Sequence, residues 1–264
     1  MMQVIIVEIN KDILFPYIIY NDPYKYNDSI TLYPIKMKDI IAFQRYQEAI
    51  TLRKDAIFTE KKIIKMGYLE FIKYACRNIN LAKQYSVPLL PVYYDFILDL
   101  LAMVCGENAE ISFNKTTLDF FINGFEITDS VFDDLRKIII VQNDIDFDID
   151  EFMNIDTVKA FEKAKEFEAK KNKEKSNIED YIDSVIVGLH ITENDVKEMT
   201  VRKFWRYVKR IDKHESYTAC ITGEMTGFVK FKEPIQHWMT SVDVDDKYEK
   251  YKTDEDELRS KVEG

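Results

Sequence analysis

The chain carries three histidines, His190, His214 and His237, and imidazole is the side chain best suited to moving a proton near neutral pH. None of the three lies within four residues of another histidine or of a cysteine in a metal-ligand pattern. His214-Glu215 starts like the zinc-protease pattern H-E-x-x-H, but the second histidine never comes. No G-x-S-x-G nucleophile turn, Walker A loop or G-x-G-x-x-G dinucleotide fingerprint occurs. Cys76, Cys105 and Cys220 are odd in number and widely spaced, with no C-x-x-C pair. That excludes a disulfide framework and a thiolate zinc site from sequence, and leaves three reduced thiols. The acidic run Asp144-Ile145-Asp146-Phe147-Asp148-Ile149-Asp150-Glu151 opens like a calcium loop. Such a loop needs glycine at its sixth position and a carboxylate at its twelfth. Counting from Asp144 those are Ile149 and Ile155, and from Asp146 they are Glu151 and Thr157, so the run reads as a solvated connection. The sequence therefore points to no metal, no cofactor and no catalysis.

Two stretches remain that could bind rather than react. The segment opening at Thr200 places Arg202, Lys203, Arg206, Lys209 and Arg210 on one side and Phe204, Trp205, Val208 and Ile211 on the other. A basic helix interleaved with aromatics resembles a nucleic-acid interface. The formal net charge of −10 repels phosphate at long range, which favours a solvated face or a dock for an acidic partner. The second stretch, Tyr217 to Met239, holds two of the seven glycines and one of the two tryptophans. Gly223 and Gly227 are expected to permit a bend around Glu224-Met225. Phe228, Phe231, Ile235, His237, Trp238 and Met239 then form a compact patch that either closes a C-terminal core or anchors a partner.

These stretches need a scaffold, and 264 residues with 46% hydrophobic content can supply one or two cored domains. Scarce glycine and proline, 7 and 6, argue against folds built on many tight turns. The opening residues lack a basic region before their short apolar run, so no signal peptide is expected. Val87 to Cys105 is interrupted by Pro88, Pro91, Asp95 and Asp99, unlike a membrane span.

The elements follow from periodicity. Gln3–Ile9, Ile13–Tyr20 and Ile30–Pro34 read as short strands. Helical spacing starts near Met37 and recurs through Ile63–Cys76. Val92–Val104, apolar on most sides, sits between Pro91 and Gly106 and is expected to be a central helix. Asn123-Gly124 marks a turn, and Asp129/Ser130 can cap a helix through Ile139. Ser176-Asn177-Ile178-Glu179 fits a capping box ahead of a clean helical face ending at Leu189. Thr192 and Thr200 open two further helices. The expected class is mainly α with a small β-prone N-terminal segment. The expected units are a helix-rich domain over 1–153, a charged linker or helix over 154–175, a small helical module over 176–242, and an acidic tail over 243–264.

A resemblance adds to this reading. Met199-Thr200-Val201-Arg202-Lys203-Phe204, then Tyr217, then Gly223-Glu224-Met225-Thr226-Gly227, then Phe231-Lys232-Glu233-Pro234-Ile235-Gln236-His237-Trp238 resembles C-terminal modules of bacteriophage morphogenesis proteins. The likeness is to the tail and baseplate assembly clusters of phages of Gram-positive bacteria, and most to tail assembly chaperones. It spans residues 199–238. It implies a non-catalytic protein that binds a tail, tape-measure or baseplate component in the host cytoplasm, with no membrane partner. Residues 1–150 do not match that pattern, which leaves open a permanent tail or baseplate component residing in the virion. A host-takeover or nucleic-acid-binding factor using the basic face is the remaining alternative. The sequence sets no oligomeric state.

Overall fold

Asn10 decides the first element. The computed structural model describes residues 9–147, 149, 177–231 and 233–242. In it the Asn10 side chain accepts the Ile13 N–H and caps helix α1 (Lys11–Tyr20). Asn21, at φ 63°, ends the helix in the left-handed conformation. Ile13–Tyr20 is thus helical and not the strand its β-prone composition suggests. Leu14 and Ile18, one turn apart, are buried, and α1 packs against the later helix Asp129–Gln142, so tertiary burial overrides local propensity. Most of the other expected early strand, Gln3–Ile9, lies outside the described residues.

Strands β1 (Tyr24–Lys25) and β2 (Thr31–Leu32) pair antiparallel, with Tyr24 opposite Leu32. The Asn27 side chain shapes their turn by accepting the N–H groups of Ser29 and Ile30. Helical segments follow: α2 (Ile40–Tyr46), α3 (Lys54–Ile57), α4 (Lys61–Lys65), α5 (Tyr68–Arg77) and α6 (Ile79–Gln84). Tighter single turns flank α2 at Met37–Asp39 and Gln47–Ile50.

Helix α7 (Tyr93–Cys105) is central, as its apolar sequence requires. Phe96, Ile97, Leu100, Leu101 and Val104 are all buried, and the helix touches α2, α5 and β2. Gly106, at φ 81°, follows its last turn. Next comes an antiparallel sheet in the order β3 (Ile111–Phe113), β4 (Phe120–Ile122), β5 (Phe125–Glu126). Its β4–β5 turn is Asn123-Gly124, both at positive φ as a two-residue hairpin loop demands. The turn was legible in sequence, whereas the flanking strands are too short to announce themselves.

Helix α8 (Asp129–Gln142) is capped by Thr128, one residue before the expected Asp129. Asp129 instead reaches α5, where its carboxylate accepts the Glu70 N–H at 3.1 Å. Gly67 makes this approach feasible, because a Cβ there would lie 2.4 Å from Asp129 Oδ1. Further along α8, the buried Arg136 donates from Nε and Nη2 to Ile50 O at 3.2 and 2.7 Å and from Nη1 to Asp133 at 3.0 Å. Its guanidinium also lies 3.4 Å from the centre of the Tyr68 ring. Each nitrogen of this buried cation faces an acceptor, and the ring covers its plane, which is what makes the burial tolerable.

The later helices α9 (Ile178–Leu189), α10 (Glu193–Glu198) and α11 (Val201–Met225) begin close to where the sequence places them. Asn177 with Asp180, rather than Ser176 with Glu179, forms the capping box of α9. Thr192 with Asp195 forms that of α10, and this bonding holds the Asp195 carboxyl below its ordinary range. Segment 199–201 runs antiparallel beside segment 35–37, through Met37 N–H to Met199 O and Val201 N–H to Ile35 O, both 2.8 Å. Thr200 donates its hydroxyl to Asn21 Oδ1 at 2.7 Å, and Arg202 donates to Ile18 O at 3.1 Å.

These bonds draw the first turn of α11 into the N-terminal body. The chain divides into two compact units, Met1–Trp205 and Arg206–Gly264. The division falls inside the segment 176–242 expected as one module, because the 199–201 pairing and the buried Phe204 hold α9, α10 and the start of α11 to the larger unit. The linker expected over 154–175 and the tail expected over 243–264 lie outside the described residues. Among the described residues the architecture is mainly α with two small sheets in the N-terminal region.

Candidate partner-binding surface

The smaller unit consists, among its described residues, of α11 from Arg206 onward and a returning strap. Gly223 stays helical, so the chain does not bend there as expected. The reversal comes at Gly227, at φ 74°, with no atom within 4 Å of where a Cβ would stand. The chain then runs back along α11. Val229 lies 3.9 Å from the Cβ position of Gly223, and His237 meets Tyr217 edge-on at 5.1 Å. Trp238 meets His214 at 5.0 Å and 87°.

Polar links lock the far end. Arg210 Nη1 donates to Trp238 O and, at 2.9 Å, to Thr240 O. Lys213 Nζ donates to Ser241 O at 2.8 Å. Arg210, Lys213, His214 and Tyr217 fall at i, i+3, i+4 and i+7 on one helical face, and that spacing was the available signal for the clasp. Between helix and strap lies a cavity of about 260 Å³, lined by Tyr217, Cys220, Phe231, Pro234 and Ile235 among others.

The expected anchors are therefore strung along the helix and do not form one compact patch. Phe228 sits beyond the α11 C-terminus, Phe231 and Ile235 line the cavity, and His237, Trp238 and Met239 lie nearer Arg210. From Gly223 to Arg210 the helix alone rises roughly 20 Å. Exposure also separates them: Phe228 is 93% exposed and Met239 66%, while Trp238 is half-buried against its own helix. Met225, 83% exposed beside Phe228, belongs with the exposed set, although sequence alone gave it no special weight.

The expected basic face is also redistributed. Arg202 is buried and bonded within the larger unit, Lys203 is half-buried beside it, and Arg210 is committed to strap carbonyls. Arg206 and Lys209 continue along α11 in the smaller unit. These five side chains do not present a single phosphate-facing stripe.

No side chain among the described residues of 206–242 is buried. No group of three or more His, Cys, Asp or Glu suited to a metal ion occurs among the described residues. No helix among them is long and apolar enough to cross a membrane. What this geometry offers is contact area: a helix edge, a strap and solvent-facing Phe and Met side chains.

Comparison with known proteins adds one likeness. Neither the curated proteins nor the solved structures gave a match to this chain. A family model described as the YomV second domain, from a phage-derived protein family, matches residues 170–243, a span that holds α9, α10, α11 and the strap, and this fits a phage-associated protein.

Proposed function

We propose that the chain is a non-catalytic phage morphogenesis protein that binds a tail or baseplate component through its smaller unit, in the manner of a tail assembly chaperone. One observation carries this reading. Met225, Phe228, Phe231 and Met239 face solvent on a unit with no buried side chain among its described residues. Such a unit gains little from its own hydrophobic burial, and covering those side chains with a partner supplies what it lacks. Phe and Met are well suited to such contacts, since phenyl rings give large contact area and thioethers adapt to irregular surfaces. The phage-derived family match over the same residues is consistent with such a partner. A chaperone of this kind works in the host cytoplasm and leaves its client at assembly.

The test uses infected cells and purified virions. A chaperone co-purifies with a tail or baseplate protein from lysate, is missing from virions, and loses its client when Phe228 and Met239 are both replaced by Ser. Presence in virions at fixed copy number makes it a permanent tail component instead. Undiminished capture by the double variant removes the surface from the account.

A further inference from the structure

The reversal that returns the strap to α11 is a local device. The Gly227 N–H donates to Glu224 O at 3.0 Å, the Thr226 hydroxyl donates to Gly223 O at 2.6 Å, and Gly227 sits at φ 74°. The bonds that seat the strap lie farther back on the helix. Arg210 and Lys213 donate to the carbonyls of Trp238, Thr240 and Ser241, and His214 and Tyr217 meet the rings of Trp238 and His237. Nothing in those contacts requires that helix and strap belong to one molecule. The reversal is also where apolar side chains stand in water: Met225 is 83% exposed and Phe228 93%. The closed hairpin leaves both uncovered.

We propose that a second copy of this chain is a partner of the smaller unit, and that the two copies exchange straps. The turn at 226–228 opens, and each strap lies along the α11 of the other molecule through the same bonds. The strap runs antiparallel to its helix, which sets the arrangement. A strap that continues outward from its own helix can run antiparallel only to a helix pointing back at it, so the two α11 C-termini meet across a two-fold axis. There Met225 and Phe228 of one copy cover those of the other.

Exchange therefore repeats the closed contacts and adds apolar burial that the single chain lacks. One such side chain, fully buried, raises the dimerisation constant about tenfold or more. Opposing this is the tether, which holds a chain's own strap at an effective concentration of about millimolar. The dimer is favoured by concentration and by anything that makes the closed turn harder to form. The pairing needs only this chain, stands apart from the proposed tail component, and competes with it for Phe228.

The experiment uses the purified full chain in sedimentation velocity over a concentration series up to millimolar. A monomer–dimer equilibrium is expected. Gly227→Ala meets no atom within 4 Å, so its effect is on the backbone alone. At positive φ the added Cβ should disfavour the closed turn about five- to thirtyfold per hinge and raise the dimer accordingly. Phe228→Ser should lower the dimerisation constant about tenfold or more. Crossing of the straps is read separately, because Cys220 and Ile235 line the same cavity. Two versions, both with Cys76→Ser, are mixed, left to exchange and treated with a short bismaleimide. One keeps Cys220, and the other carries Cys220→Ser and Ile235→Cys. Mass spectrometry is expected to find position 220 of one chain joined to position 235 of the other. A chain that stays monomeric at millimolar concentration even with Gly227→Ala overturns the proposal, as does a dimer without that link or one indifferent to Phe228→Ser. Client capture from lysate is a separate measurement, so either result can fail while the other stands.

Discussion

The two units solve the problem of holding a chain together in opposite ways. The larger one has an apolar interior: Phe43, Phe58, Phe71, Phe120, Phe132 and Phe204 are each fully buried, and inward polar groups such as Arg136 and Asn143 are bonded. Asn143 accepts the Ile35 N–H and donates to Ile139 O, so that α8 and the strand region share one polar joint. The smaller unit has no such interior among its described residues, and the contacts that hold its strap include the cations of Arg210 and Lys213, the ring contacts of His214 and Tyr217, and a short turn. The contrast teaches where change is costly. A cored unit resists substitution at almost every inward position, whereas a clasp can open without unfolding anything else.

The sharpest break in the comparison is chemical. Burial pushes the Cys105 thiol up to about 12, so at pH 8 roughly one molecule in ten thousand carries the reactive thiolate. Cys220, half-exposed on α11, is expected to label with iodoacetamide about a thousandfold faster or more. Mass spectrometry of the native protein reads this directly, and equal rates would mean that the α7 core opens freely. The next effect is energetic. Phe120→Ala removes a fully buried ring that lies edge-on to Phe132 and Tyr94, and should cost about 3–5 kcal/mol in urea unfolding. The smallest effect sharpens the contrast from the other side. Phe228→Ser, at a ring already in solvent, should leave unfolding within about 0.5 kcal/mol of the parent while reducing partner capture. A larger loss of stability would show that Phe228 belongs to a core.

Several parts of this arrangement were readable from residues alone. Val92–Val104 announces a buried helix because it is apolar on nearly every side, and its neighbours Pro91 and Gly106 suit its two ends. Thr192 announces α10 because a capping box is a local device whose parts all lie within four residues. The Asn123-Gly124 turn is local in the same sense. The candidate surface was partly readable: the sequence marks Phe228, Phe231, Trp238 and Met239 as unusual but does not separate the exposed from the clasped. Their separation depends on Arg210 and Lys213 reaching carbonyls some 28 residues away along the chain.

Sequence by itself determined the class, the main helix starts, and the lack of any familiar catalytic motif, since each rests on periodicity or on neighbours within a few positions. Tertiary structure decided that Ile13–Tyr20 is a helix, because Leu14 and Ile18 find an apolar partner in α8 that no local preference records. It also decided that Arg202 is an interior residue and that the chain divides at Trp205, through bonds to Ile18 and the 35–37 segment more than 160 residues earlier. Contacts at that separation are set by which surfaces exclude water together, and a linear pattern carries no measure of that.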